Sequence, residues 1–131
     1  ENDKMFGDID LVLIDDEEMH RSTWSLWAET ENKKIATFAT PDEFLLSSRG
    51  IQKSAVIFLD SDLGNGIRGQ NFIEVIKEAG FKTVVLATGY AGSKSITCEG
   101  ADGIIGKNPG EALKFMHLQK IDLKTYRGDL V

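Results

Sequence analysis

The sequence contains one cysteine, two prolines and no apolar stretch long enough to cross a membrane. Because Cys98 has no second cysteine to pair with, an intrachain disulfide is excluded, and a single free thiol suits a reducing compartment. We also expect no signal peptide. These absences predict a cytoplasmic domain that does not associate with membranes.

Positive charge is in deficit as well. The 15 lysines and arginines are outnumbered by 21 acidic residues, which gives a net charge of -6, and there is no basic run. A chain of this charge is poorly suited to bind the phosphate groups of DNA or RNA. We therefore expect no nucleic-acid partner for this domain.

The 131 residues, 41% of them hydrophobic, suffice for one globular domain with a real core. We expect this domain to span residues 9–120, with a linker or terminal arm at 1–8 and a C-terminal tail at 121–131. The first residue is Glu1 and not Met, which is typical of a piece cut from a longer protein.

Within the domain, short apolar segments alternate with helical or loop segments of about ten to fifteen residues. The predicted strands are Ile9–Ile14, Ile35–Ala39, Ala55–Asp60, Phe81–Ala87 and 100–106. Strands spaced in this way cannot pair as hairpins, so right-handed crossovers must build a parallel sheet with helices on both faces. The sequence predicts an α/β fold, a flavodoxin-like doubly wound (βα)5 domain whose five-stranded parallel sheet has the order 2-1-3-4-5.

Helical spacing and capping residues place the helices between these strands. The first helix, 19–30, is predicted to be amphipathic from the spacing of Met19, Thr23, Leu26 and Trp27. Two starts combine an N-cap, a proline and a glutamate, at Thr40-Pro41-Asp42-Glu43 and at Asn108-Pro109-Gly110-Glu111. A third helix ends at Gly80, a fourth covers 91–99, and the last runs from Ala112 to about Lys120.

Chemically active side chains follow four of the five strands: Asp15 and Asp16, Asp60, Thr88, and Lys107. In the predicted strand order these ends meet at one rim of the sheet. Three neighbouring carboxylates repel one another unless a cation lies among them, and Mg²⁺ prefers such oxygen ligands. A lysine and a hydroxyl at the same rim are donors for an anion, so the set suits phosphoryl transfer with Asp60 as the acceptor.

This set resembles the receiver domains of two-component response regulators, over about Ile9 to Lys120. The resemblance implies that Asp60 takes a phosphoryl group from a phosphohistidine on a histidine kinase or a phosphotransfer domain. It also implies that Mg²⁺ is held by Asp15, Asp16, Asp60 and the backbone carbonyl of Asp62. A receiver catalyses its own phosphorylation and dephosphorylation without being a conventional enzyme.

The resemblance further implies a switch. Thr88 and Lys107 would turn to the acyl phosphate and remodel the face formed by the fourth helix, the fifth strand and the fifth helix, where an output partner or a second copy would bind. Ile104 stands where receivers commonly carry an aromatic switch residue, and Asn108 separates Lys107 from the usual proline. Tyr90 stands where the family tunes dephosphorylation. The run from Thr88 to Ala91 resembles receivers fused to sensor histidine kinases, so the parent chain could be a hybrid kinase.

Three alternatives stay open. The departures at Ile104 and Asn108 suit a degenerate receiver-like interaction module that is not phosphorylated. Asp60-Ser61-Asp62 resembles the D-x-D motif of haloacid dehalogenase-like phosphatases, and residues 64–69 have the G-x-G-x-x-G spacing of a dinucleotide-binding module. His20 is four residues after Asp16, but we expect it to be a solvated or capping residue because Mg²⁺ prefers oxygen ligands.

Overall fold

A computed structural model describes residues 8–89 and 100–119. Its centre is one parallel sheet with the order β2-β1-β3-β4-β5, which confirms the predicted topology. The strands are β1 (Leu11–Ile14), β2 (Ile35–Phe38), β3 (Val56–Asp60), β4 (Val84–Ala87) and β5 (Gly103–Ile105). Each is shorter than its predicted segment, because the outermost residues of those segments do not join the strand ladders.

The register of the sheet brings the strand ends to one level. Ile14 of β1 pairs with Leu59 of β3, and Asp60 pairs with Ala87 of β4. Ala87 in turn lies beside Ile105 of β5. Residues that follow β1, β4 and β5 therefore emerge around Asp60.

Two apolar clusters, one on each face of the sheet, form the core. Alternate residues of the same strand go to opposite clusters, as Leu13 and Ile14 of β1 do, and Phe58 and Leu59 of β3. Every residue of β1, β3 and β4 is buried. This burial on both faces explains why these segments are continuously apolar in the sequence.

Four α-helices lie in the described residues: α1 (Glu18–Thr30), α2 (Pro41–Ser47), α3 (Ile73–Glu78) and α4 (Pro109–Gln119). Short 3-10 turns at Ser48–Gly50 and Gly69–Phe72 follow α2 and precede α3. The predicted fourth helix, 91–99, lies outside the described residues, so α4 is the fifth predicted helix. Most of the predicted arm, the end of the domain at Lys120 and the tail also lie outside them. Within 8–89 and 100–119, no helix has the length and apolar character needed to cross a bilayer.

Both predicted proline-containing helix starts are present. The hydroxyl of Thr40 accepts a hydrogen bond from the Glu43 N–H at 3.1 Å, and the Glu43 carboxylate accepts one from the Ala39 N–H. Asn108 Oδ1 accepts a bond from the Gly110 N–H at 2.7 Å, and α4 begins at Pro109, three residues before the predicted start. These caps satisfy amide groups that have no partner within the helix.

The predicted packed face of α1 is wrong. Met19 is 76% exposed and Leu26 is 66% exposed, whereas Trp24 and Ala28 are buried. The ring of Trp24 packs on Phe58 of β3, with the two centroids 5.5 Å apart. An indole buries more apolar surface than a methionine or a leucine side chain, so the helix turns its Trp24 side to the sheet.

Candidate functional site

Three carboxylates meet at the carboxyl ends of β1 and β3. One oxygen each of Asp15, Asp16 and Asp60 lies within 4.8 Å of the others. Asp15 and Asp60 are 2% and 1% exposed, while Asp16 is exposed. Burial of two like charges side by side is unfavourable unless a cation offsets them. The predicted gathering of these acids at one rim is therefore present.

Lys107 supplies one such cation. Its Nζ lies 2.9 Å from Asp60 Oδ1 and 3.6 Å from Asp15 Oδ2. Burial raises the pKa of Asp60 to about 6, although the hydrogen bonds from Lys107 and from the Asp62 N–H lower it. Burial acts to lower the pKa of Lys107, but the hydrogen bond to Asp60 and the charge of Asp15 outweigh it, so that pKa is raised.

The two oxygens of Asp60 are in different surroundings. Oδ1 accepts the hydrogen bonds from Lys107 and from the Asp62 N–H, the latter at 3.1 Å. Oδ2 is buried and has no hydrogen-bond partner within the described part of the chain. A buried oxygen without a partner is costly, because it has lost its water and gained nothing in return. Such an oxygen is well suited to bind a metal ion or an electrophile.

An open depression adjoins this carboxylate. It has a volume of about 400 Å³, and its lining residues are Asp60, Ser61, Asp62, Thr88, Gly89 and Lys107. Thr88 is 1% exposed, and its N–H donates to the Ile105 carbonyl at 2.9 Å. The structure therefore brings together Asp15, Asp16, Asp60, Thr88 and Lys107. Tyr90, the other predicted switch residue on this loop, lies outside the described residues.

The first turns of α1 hold Asp15 at three points. Glu17 N–H donates to Asp15 Oδ1 at 2.9 Å, His20 Nδ1 lies 3.1 Å from Asp15 Oδ2, and Arg21 donates to the Asp15 carbonyl at 2.8 Å. The sequence predicts a solvated or capping His20; its side chain is 32% exposed, and its ring also contacts Asp15 of the acid cluster. Sequence reasoning also missed Arg21. The spacing of His20 from Asp16 drew attention to the wrong acid, because the side chains of both His20 and Arg21 reach back to Asp15.

The glycine-rich loop after Asp60 is a tight hairpin. Gly64, Asn65 and Gly66 all have positive φ values, and Leu63 N–H donates to the Ile67 carbonyl at 2.9 Å. The Gly64, Ile67 and Gly69 amides also donate within the loop, to Asp62 Oδ1 and to the Gly64 and Ser61 carbonyls. Amides used in this way are not available to cradle a pyrophosphate, which disfavours the dinucleotide-binding alternative.

Gly69 is a second feature of this loop that sequence reasoning missed. A Cβ atom at this position would lie 2.0 Å from the backbone oxygen of Asp60. Only glycine allows the loop to return so closely against the strand end. Asp62, at the base of the same loop, lines the depression. A metal-binding role for its carbonyl stays a prediction.

The donor set fits a hard divalent cation. All three acids offer oxygen ligands to such an ion, and Asp60 also has a buried oxygen, Oδ2, that lacks a partner among the described residues. His20 contacts Asp15 but does not belong to the group of mutually close ligand atoms. Asp15, Asp16 and Asp60 could therefore hold Mg²⁺.

No protein-family model and no curated protein sequence matches the chain. Solved structures do. The N-terminal domain of a response regulator/sensory box/GGDEF protein from Carboxydothermus hydrogenoformans has a TM-score of 0.67 at 16% identity, covering 92% of this chain and 98% of its own. A CheY-like receiver domain from Methanospirillum hungatei has a TM-score of 0.68 at 20% identity, covering 86% and 94%. A Burkholderia pseudomallei response regulator has a TM-score of 0.64 at 23% identity, covering 87% and 76%.

The chain has the fold of a response regulator receiver domain. Two sequence departures can be placed in this receiver fold. Ile104, at the position where receivers commonly carry an aromatic residue, is partly buried and packs against the apolar cluster that contains Ile14 and Leu59. Within the described residues no peptide bond is cis, so Asn108 joins Pro109 by a trans bond.

Proposed function

We propose that this receiver domain accepts a phosphoryl group on Asp60 from a phosphohistidine and signals by the change in conformation that follows. The donor would be a histidine kinase or a phosphotransfer domain. The observation that carries the proposal is the carboxylate of the buried Asp60, which lies next to two further acids and Lys107 at an open depression and has an oxygen, Oδ2, without a partner among the described residues.

The chemistry balances with the groups at hand. An oxygen of ionised Asp60 forms a bond to phosphorus while the N–P bond of the phosphohistidine breaks, and the imidazole nitrogen leaves with the electron pair and takes a proton from water. Lys107 would offset the charge on the phosphoryl oxygens, and the Thr88 hydroxyl would donate to one of them. A pKa of about 6 leaves Asp60 mostly ionised at neutral pH, as a nucleophile requires.

The reaction is proposed to depend on Mg²⁺. Asp15, Asp16, Asp60 and the Asp62 carbonyl would hold the ion, whose chemistry is to neutralise charge on the carboxylates and the transferred group. The similar Burkholderia pseudomallei protein contains a phosphorylated aspartic acid and a calcium ion. That likeness supports a divalent cation beside an acyl phosphate.

Signal output would follow from the movement of Lys107. When a phosphoryl group takes the place next to Asp60, Lys107 would pair with it and Thr88 would turn to it. The two loops are joined by the bond from the Thr88 N–H to Ile105. We expect the change to reach the face of β5, α4 and the predicted helix 91–99, where an output partner or a second copy would bind. Tyr90 and Ile104 would modulate it.

Mass spectrometry of the intact chain tests the proposal. Incubation with acetyl phosphate and Mg²⁺ should add the mass of one phosphoryl group, and chelation of the metal should prevent it. Asp60→Asn should not be modified, whereas Asp62→Asn, the matched change two residues away, should be. A phosphoryl group that persists on Asp60→Asn would contradict the assignment of the acceptor.

A non-phosphorylated interaction module is the second candidate. Ile104 and the inserted Asn108 favour it, because both alter the usual readout of a receiver. It predicts no mass increase when the wild-type chain is incubated with acetyl phosphate and Mg²⁺. The phosphatase alternative is less well supported, because the acidic motif follows the third strand of the chain and not the first. The hybrid-kinase parent remains a proposal that the sequence before Glu1 would test.

A further inference from the structure

Lys107 follows a short strand and needs an external support. β5 has three residues and pairs with β4 alone among the described strands. Lys107 comes two residues after β5, and its ammonium must reach Asp60 across the rim. A single hydrogen-bonded edge does not fix the direction of a side chain that far beyond it.

Two contacts outside the strand hold this turn. The Gly106 N–H donates to Glu111 of α4 at 3.0 Å. The carbonyl of Lys107 itself accepts a hydrogen bond from the indole N–H of Trp24, also at 3.0 Å. This second contact joins residues 83 positions apart in the chain. It is the link between α1 and the residue that neutralises Asp60.

Trp24 is itself firmly held. It is 1% exposed, and its ring packs on Phe58, which precedes Asp60 by two residues on β3. An indole has one N–H group, which usually finds a hydrogen-bond acceptor when it is buried. Here the acceptor is the backbone carbonyl of Lys107. One side chain thus relates the backbone of Lys107 to the strand that delivers Asp60.

We propose that Trp24 is a positioning residue for Lys107, whose indole N–H sets the direction from which the lysine ammonium reaches Asp60. The effect of Trp24 on phosphoryl transfer rests on the proposed function, whereas its hydrogen bond to Lys107 is a feature of the structure. In the free domain the bond keeps the ammonium against Asp60 Oδ1. During phosphoryl transfer it keeps the ammonium within reach of the developing negative charge. A role in packing alone would give Trp24 no influence on Lys107.

Trp24→Phe separates these two roles, because it keeps an aromatic ring and removes the N–H. The matched control is Trp27→Phe, the same change three residues later on α1 at a half-buried position. The first measurement is the ¹⁵N-NMR signal of the Lys107 ammonium, assigned with Lys107→Met. An ammonium held in an ion pair exchanges its protons slowly enough to be observed, and a released one does not.

We expect the wild-type chain and Trp27→Phe to show the Lys107 signal. In Trp24→Phe the ratio of held to released ammonium should fall about fivefold, the effect of one hydrogen bond on an equilibrium. The rate of phosphorylation by acetyl phosphate should fall by a similar factor. An unchanged Lys107 signal in folded Trp24→Phe would overturn the proposal, whatever the loss of stability.

A second variant covers the case in which Trp24→Phe does not fold. Benzothienylalanine at position 24 keeps the two-ring shape of tryptophan and replaces the N–H with sulfur. It should fold, and it should lower the ratio of held to released ammonium as Trp24→Phe does. If the signal is unchanged from that of the wild-type chain, the proposal fails. If the wild-type chain takes no phosphoryl group, the proposed function fails, but the NMR comparison still decides the role of Trp24.

Discussion

Asp60→Asn removes the charge of the most deeply buried acid in the described part of the chain and keeps nearly the same side-chain shape. Burial raises the pKa of Asp60 from 3.8 to about 6, against the lowering effects of Lys107 and the Asp62 N–H. A rise of this size corresponds to about 3 kcal/mol. Asparagine resembles the protonated acid, so the variant avoids this penalty.

The penalty depends on pH in a defined direction. Below pH 3.8 Asp60 is protonated in both the folded and the unfolded chain, and it contributes nothing. Between pH 3.8 and about 6 the unfolded chain loses the proton while the folded chain keeps it, so wild-type stability falls as the pH rises. Above about pH 6 the loss is complete. The stability of Asp60→Asn relative to the wild type should therefore grow across this window.

Urea unfolding followed by circular dichroism, in the presence of a chelator and between about pH 4 and pH 8, measures the effect. The free energy of unfolding of Asp60→Asn minus that of the wild type should rise by up to about 3 kcal/mol. Asp62→Asn, the same change at an exposed position two residues away, is measured alongside as the control. A constant difference for Asp60→Asn would refute the reasoning, because Asp60 would then have the same pKa in both states.

Three further predictions concern the same site. Mg²⁺ should stabilise the wild-type chain above pH 6, where Asp60 is ionised, and Asp60→Asn much less. Lys107→Met should lower the free energy of unfolding at neutral pH by roughly 3 kcal/mol, because it leaves two buried carboxylates without their cation. Gly69→Ala should lower it by about 2 kcal/mol or more, because its Cβ would lie 2.0 Å from the Asp60 oxygen.

Each of these three predictions has a control in the same chain. Equal stabilisation of both chains by Mg²⁺, in a thermal melt, would place the ion elsewhere. Lys77→Met breaks a half-exposed ion pair with Asp102 and should cost at most about 1 kcal/mol; an equal loss in both lysine variants in urea would show that Lys107 has no special role. Gly89→Ala adds a methyl that meets no atom of residues 8–89 and 100–119 within 4 Å, and it should unfold nearly as the wild type does.

The strand order and the set of rim residues were predictable from the sequence. Continuous apolar runs such as Val56–Leu59 indicate strands buried on both faces, and their spacing excludes hairpins. Once the order was predicted, Asp15, Asp60, Thr88 and Lys107 had to come to one edge. The cap at Thr40 was equally predictable, because it involves residues three positions apart.

The packed face of α1 was not predictable in the same way. Met19 and Leu26 have the spacing of residues on one face of a helix, and so do Trp24 and Ala28. Nothing in the local sequence shows which of the two faces is buried. The choice depends on Phe58, which lies on a strand that follows much later in the chain. The contact of His20 with Asp15 follows from that choice, because turning the helix brings His20 to the rim.

What the sequence by itself determined is the alternation of strands and helices, their topology and the identity of the acids, hydroxyl and lysine at the rim. These are properties of short segments, because periodicity and capping act between residues a few positions apart. Only the tertiary structure decided the raised pKa of Asp60, the ion pair between Lys107 and Asp60, and the hydrogen bond from the Trp24 indole to the Lys107 carbonyl. Burial and hydrogen bonding between distant segments exist only after the chain has packed, and no local pattern encodes their distances.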